Sequence, residues 1–265
     1  MKLKIRHTTR YVFDTPVSYG LQQVRLTPKA SPFQKIANWE TSVTGGAKEV
    51  SYNDHNNNQV DLISFNRDAA EVTLISEGEV EMTESHGMMG KHRGPAPLWF
   101  YEKSTNLTKA GPGTRKLIKK IKGDADLERL HCLSKVINEN VIYEVGSSLP
   151  TGSAEDALSA GKGVCQDHSH IFLACARAMG FPARYVSGYL LMDDRIEQEA
   201  THAWAEVHIP DLGWVGFDVS NAISPDVRYV RVATGLDYAG AAPVTGTTYG
   251  GSGERLSVQI EVAQQ

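Results

Sequence analysis

The stretch GKGVCQDHSHIFLACARAMGFPARYVSGYLL, residues 161–191, decides how the rest of the chain is read. Gly161 and Gly163 punctuate a turn. Residues 165–179 then place Phe172, Cys175 and Met179 at helical spacing, and Gly180 with Pro182 closes the helix. Tyr185–Leu191 reads as a strand. Cys165 therefore stands at a helix start, where unpaired backbone N–H groups and the helix dipole favour a thiolate over a thiol.

A nucleophile of this kind needs a base, and the next informative stretch is THAWAEVHIPDLGWVGFDVSN, residues 201–221. Its first part alternates. Ala203, Ala205, Val207 and Ile209 form an inward face, which leaves His202, Trp204, Glu206 and His208 on the other. Beyond the turn PDLG, Val215, Phe217 and Val219 face one way and Trp214, Gly216 and Asp218 the other. The result is a hairpin with His202 and Asp218 near its open end, where a carboxylate can fix the tautomer of an imidazole. A plain four-residue loop would pair Ile209 with Trp214 and leave Asp218 about three positions, roughly 10 Å, from facing His202. A bulge, a different loop or a diagonal reach is expected to close that gap.

Working outward, RKLIKKIK (115–122) and DLERLHCLSKVINENVIYE (126–144) have helical spacing, with Leu127, Leu130, Leu133, Val136, Ile137 and Val141 on one stripe. TGSAEDALSAG (151–161) signals another helix, with Ser153 as N-cap and Gly161 as stop. Residues 2–85 read instead as short strands around the turn NDHNNNQ (53–59). Residues 86–100 carry Gly and Pro without periodicity and mark a boundary. The expectation is an α+β chain: an antiparallel β-sandwich-like domain over residues 1–90, then a domain over 91–265 with helices packed on an antiparallel sheet and a C-terminal β tail.

The 265 residues are 41% apolar and 22% charged, enough for a sizeable core and too apolar for disorder. With 27 Lys/Arg against 31 Asp/Glu the net charge is −4, which argues against a nucleic-acid partner. Residues 151–265 hold 7 basic and 14 acidic side chains, and MDDRIEQEA (192–200) is expected to form an acidic loop at the mouth of any cleft around His202. Three cysteines in a chain of this length argue against a disulfide framework, and Cys132 and Cys175 read as helix packing. The N-terminus MKLKIRHTTRYVF has no apolar signal-peptide core, and no window of eighteen apolar residues occurs, so a cytoplasmic chain without membrane partners is expected.

Two other readings share these residues. Cys165, His168 and His170 form C-x-x-H-x-H, yet on one helix the first and last are about 500° apart, so they share no face and no metal or cofactor is expected. His168, one turn from Cys165, is a rival base that spacing does not eliminate. Gln166, His168 and Trp204 are assigned to the lining of the cleft, although Trp204 reads equally well as a structural aromatic.

The block GKGVCQDHSHIFLACARAMGFPARYVSGYL, followed by THAWAEVHIPDLGWVGFDVSN, resembles the core of the transglutaminase-like superfamily, whose papain-like fold carries Cys, His and Asp in that order. RYVFDTPVSYGLQQVRLTPK is similar to the β-rich N-terminal region of its bacterial branch, and GLDYAGAAPVTGTTYGGSGERLSVQIEV to that branch's C-terminal segment. His168 departs from a common aromatic, and Val219–Ser220 from a usual Pro-Thr. The resemblance implies Cys165 as nucleophile, His202 as base and acid, and Asp218 as orienter. Acyl transfer or hydrolysis at peptide or isopeptide amides through a thioester is the implied reaction, with a peptide or protein substrate. A member that has lost activity and only binds peptides is the alternative.

Overall fold

The computed structural model describes residues 1–147 and 149–265. Strict alternation governs its first strand. In β1 (Lys2–Val24) every odd residue from Leu3 to Phe13 is buried, as a half-buried pleated strand requires. The strands that follow are β2 (Gln34–Thr44), β3 (Gly46–Asn53), β4 (Gln59–Phe65) and β5 (Ala69–Met82). The turn at 53–59 is tied by Asp54, whose Oδ1 accepts from the backbone N–H groups of Asn56 and Asn58. β1 pairs with β5 along Lys2–Val12 and with β4 along Leu21–Val24, so its two halves serve different parts of one curled sheet. Tyr11, Phe13, Val24, Ile63, Phe65 and Leu74 close over each other inside that curl.

The segment 86–100, expected to be aperiodic, contributes β6 (Met88–Gly90) and a 3₁₀ turn (Leu98–Glu102). Then come α1 (Pro112–Ile118), α2 (Asp126–Asn140), β7 (Ile142–Tyr143), α3 (Ala154–Ala160), β8 (Lys162–Gly163) and α4 (Cys165–Ala178). The α2 stripe is buried at Leu130, Leu133 and Ile137. After them, β9 (Ala183–Leu190), β10 (Glu197–Gln198), β11 (His202–Ile209), β12 (Gly213–Phe217) and β13 (Tyr229–Gly235) lead to α5 (Tyr238–Ala241), β14 (Val244–Ser252) and β15 (Arg255–Gln264). An antiparallel sheet of order β13-β9-β11-β12-β6 results.

Helix α4 is buried continuously from Asp167 to Arg177 and packs on the β11 face formed by Ala203, Ala205 and Val207. The opposite side of the sheet meets the N-terminal sheet: Tyr189, Val230 and Val232 pack against Leu3, Ile5 and Val80. One expectation needs correction. The C-terminal β tail, assigned to the 91–265 unit, joins the first sheet instead, β15 pairing with β1 from Leu3↔Gln264 to Val12↔Arg255 and β14 with its second half. The reason is physical: β5 and β4 occupy one edge of β1, the other edge needs partners for its backbone groups, and Ile260 and Val262 bring apolar side chains to the shared core.

Candidate active site

Cys165 opens α4 because the residues around it cap the helix. Val164 has extended backbone, and its N–H donates to Asp167 Oδ2 at 2.7 Å. Gly163 makes room for that carboxylate, since a Cβ there would lie 2.6 Å from Asp167 Cβ. The first-turn N–H groups of α4, among them that of Cys165, have no intrahelical acceptor.

His202 is the first residue of β11 and is buried. Its Nε2–H donates to Asp218 Oδ2 at 2.6 Å, which leaves Nδ1 as the ring nitrogen for Cys165. The route to this contact differs from the plain loop. β11 and β12 pair Ile209 with Gly213, not with Trp214, across a tighter loop in which Asp211 (φ 68°) and Gly213 (φ 81°) take left-handed conformations. Continuing the ladder beyond Ala205↔Phe217 sets Asp218 opposite Trp204, a single diagonal step from His202.

Asp218 is fully buried and saturated with donors. Its Oδ1 accepts from the Ser220 and Asn221 backbone N–H groups, and its Oδ2 from Asn221 Nδ2 and the Tyr229 hydroxyl, both at 2.7 Å. Burial raises the Asp218 pKa, but the His202 hydrogen bond and charge, with Tyr229 and Asn221, outweigh it and hold the carboxyl below its ordinary value. Burial likewise opposes the His202 imidazolium. The Asp218 hydrogen bond and the interaction with Cys165 win, raising its pKa to about 10. Asp218 and His202 thus form a buried ion pair beside the sulfur.

The other candidates are placed differently. Trp204 and His168 are buried, and neither is among the described residues facing the cleft. Trp204 packs behind the His202 ring, 6.3 Å away at 29°, and edge-on to Tyr229. In His168, Nε2 reaches Val141 O at 3.0 Å and Nδ1 the Ser220 hydroxyl at 2.9 Å, and burial lowers its pKa, so neither nitrogen is open to a thiol. His170 turns away, its Nε2 accepting from the Tyr238 N–H, and this divides the C-x-x-H-x-H group. Gln166 lines the cleft and donates from Nε2 to Pro150 O. Cys175 is sealed in the core, where burial pushes its thiol up to about 12.

Cys165 and His202 share a cleft of about 540 Å³ with Tyr143, Tyr185 and Tyr238. One wall is the acidic loop, from which Arg195, Glu197, Gln198 and Glu199 line the cleft. That loop is pinned by β10, which pairs with β15, and by Gln198 Nε2 donating to Leu190 O. Tyr229 and Asn221 were not singled out in the sequence, although the alternation of YVRVATG (229–235) marks the strand that carries the tyrosine.

The fold is that of a transglutaminase-like protein. The chain matches the profile of the transglutaminase-like superfamily over residues 115–219 and that of the bacterial transglutaminase-like N-terminal region over residues 3–81, and it belongs to that superfamily. An uncharacterized protein of Mycobacterium leprae is 25% identical over 99% of both chains. Another, from Mycobacterium tuberculosis, is 40% identical over 51% of this chain and 46% of its own length. Among solved structures, a candidate cysteine protease from Cytophaga hutchinsonii superposes with a TM-score of 0.80 at 20% identity, covering 99% of this chain and 90% of that one. That likeness is one of fold. Among the described residues no helix is long and apolar enough to cross a membrane.

Proposed function

We propose that this chain is a cysteine acyl-transfer enzyme acting on peptide or isopeptide amides, with Cys165 as nucleophile, His202 as acid and base, and Asp218 as orienter. The observation that carries the reading is the buried His202, tied through Nε2 to Asp218 and sharing a cleft with the helix-opening Cys165. The thiolate adds to the amide carbonyl, a C–S bond forms, and the carbonyl π pair moves to oxygen, where the first-turn N–H groups of α4 stabilise it. Collapse expels the amine, which takes the proton from His202 Nδ1. A thioester and a neutral imidazole remain. Water or a primary amine then gives a proton to Nδ1 as it attacks, and the thiolate leaves. Glu197 and Glu199 on the cleft wall favour cationic peptides or a lysine-like amine as partner.

Iodoacetamide labelling near pH 6 tests the assignment. Cys165 is expected to react about tenfold faster than Cys132, with the excess lost in His202→Ala. Equal rates would instead identify a peptide-binding module without catalysis. At low salt, Lys-rich peptides should turn over faster than Glu-rich ones, and equal turnover removes the role given to Glu197 and Glu199.

A further inference from the structure

A second cleft, of about 810 Å³, opens between the β1–β2 connection, the β3–β4 turn and the edge of the second sheet. It shares no residue with the Cys165 cleft. Among the described residues, Lys29, Lys91, Arg93, Arg184 and Arg231 line it and no carboxylate does, in a chain whose net charge is −4.

At its centre lie two guanidiniums and one acid. Glu206 is fully buried and receives Arg184 Nε at 2.6 Å and Arg231 Nη2 at 3.1 Å, with Arg231 Nε a further 2.6 Å contact to its second oxygen. Among the described residues it is the one carboxylate paired with either arginine. One negative charge therefore answers two largely buried positive ones, an arrangement that is costly unless something else supplies the missing charge. The Arg184 guanidinium carbon also sits over the Trp214 ring, 3.8 Å from its centroid, a cation–π contact that helps hold the fork in place. Lys29 shows the same excess. Its Nζ is held by Asn56 O, Asn57 O and Asn58 Oδ1, and burial together with the nearby Arg231 and Arg184 drives its pKa well below the ordinary lysine value. Lys91 and Arg93 stand exposed on the rim.

We infer that this cleft binds a small multivalent oxyanion, whose carboxylate or phosphate groups are received by Arg231 and Arg184 at the centre and by Lys91 and Arg93 at the rim. Planar guanidinium forks suit both kinds of oxyanion, and the volume is that of an ordinary small-molecule site. Binding does not involve Cys165, because the α4 side of the second sheet and the Glu206 side are opposite faces.

Citrate and inorganic pyrophosphate, titrated into the full chain at low salt by calorimetry and by Trp fluorescence, are the probes. Each should bind saturably at one site per chain, with Trp214 reporting, and equally in Cys165→Ala. Lys91→Gln with Arg93→Gln should weaken binding about tenfold, and Arg231→Lys should weaken it while keeping the charge. If Arg231→Lys fails to fold, the rim pair decides alone. Tighter citrate assigns the ligand to carboxylates and tighter pyrophosphate to phosphates. Absence of saturable binding up to about 1 mM, or affinities untouched by the rim substitutions, overturns the inference.

Discussion

At the scale of single residues, His202 is governed by two opposed effects whose balance sets its behaviour with pH. Burial alone lowers an imidazole pKa. Here Asp218 and Cys165 reverse that and bring it to about 10. Because the folded value is raised, the stabilisation is complete below about pH 6.5, where the unfolded chain also binds the proton, and it is lost as pH rises toward 10. In Asp218→Asn the burial effect loses its main counterweight. The His202 pKa is then expected to fall, and with less imidazolium to hold the Cys165 thiolate, the excess of Cys165 alkylation over Cys132 near pH 6 should shrink. An NMR titration of His202 beside the alkylation rates checks this, and an unchanged excess would remove Asp218 from its positioning role. The residue types were legible in sequence, because a cysteine at a helix start and a histidine and aspartate on one hairpin are local patterns. Trp204 was not placed by the same logic. Alternation gives it the His202 side of β11, yet only the packed Tyr229 shows that this side lies behind the ring.

Among the elements, α4 depends on a short capping device. Asp167 holds the Val164 N–H, and the absence of a side chain at Gly163 lets it do so. Asp167→Ala removes the acceptor, and Gly163→Ala forces a Cβ against the carboxylate. Each is expected to cost about 1–2 kcal/mol in urea denaturation and to slow Cys165 alkylation by loosening the first turn. Unchanged alkylation in both would mean that the cap does not set the thiol's position. The hairpin shows where an element's sequence runs out. Its faces follow from period-two alternation, but its register turns on whether Asp211 and Gly213 adopt left-handed conformations, which alternation does not encode.

For the whole molecule, the C-terminal strand does two jobs at once. Ile260 and Val262 fill the core between the two sheets, and Glu261 and Ile260 pair with β10, which carries the acidic wall. Ile260→Ala is therefore expected to lower stability by about 2–4 kcal/mol in urea denaturation, with the loss felt in both sheets as one transition. Two separated transitions would show that the sheets unfold independently. Pairings such as His7↔Ile260 join the ends of the chain. No local pattern in TTYGGSGERLSVQIEV distinguishes an edge of β1 from an edge of the second sheet.

By itself the sequence determined the helix that begins at Cys165, the alternation of the 201–221 hairpin, the strand-rich first part and the resemblance those motifs carry. Each follows from spacing within one element, where steric periodicity leaves little choice. The tertiary structure decided the diagonal contact from His202 to Asp218, the donors Tyr229 and Asn221 around it, the burial of His168 and Trp204, and the return of the tail to β1. These depend on which edges and faces remain unpaired once the elements exist, a question of long-range burial and hydrogen bonding that no local period contains.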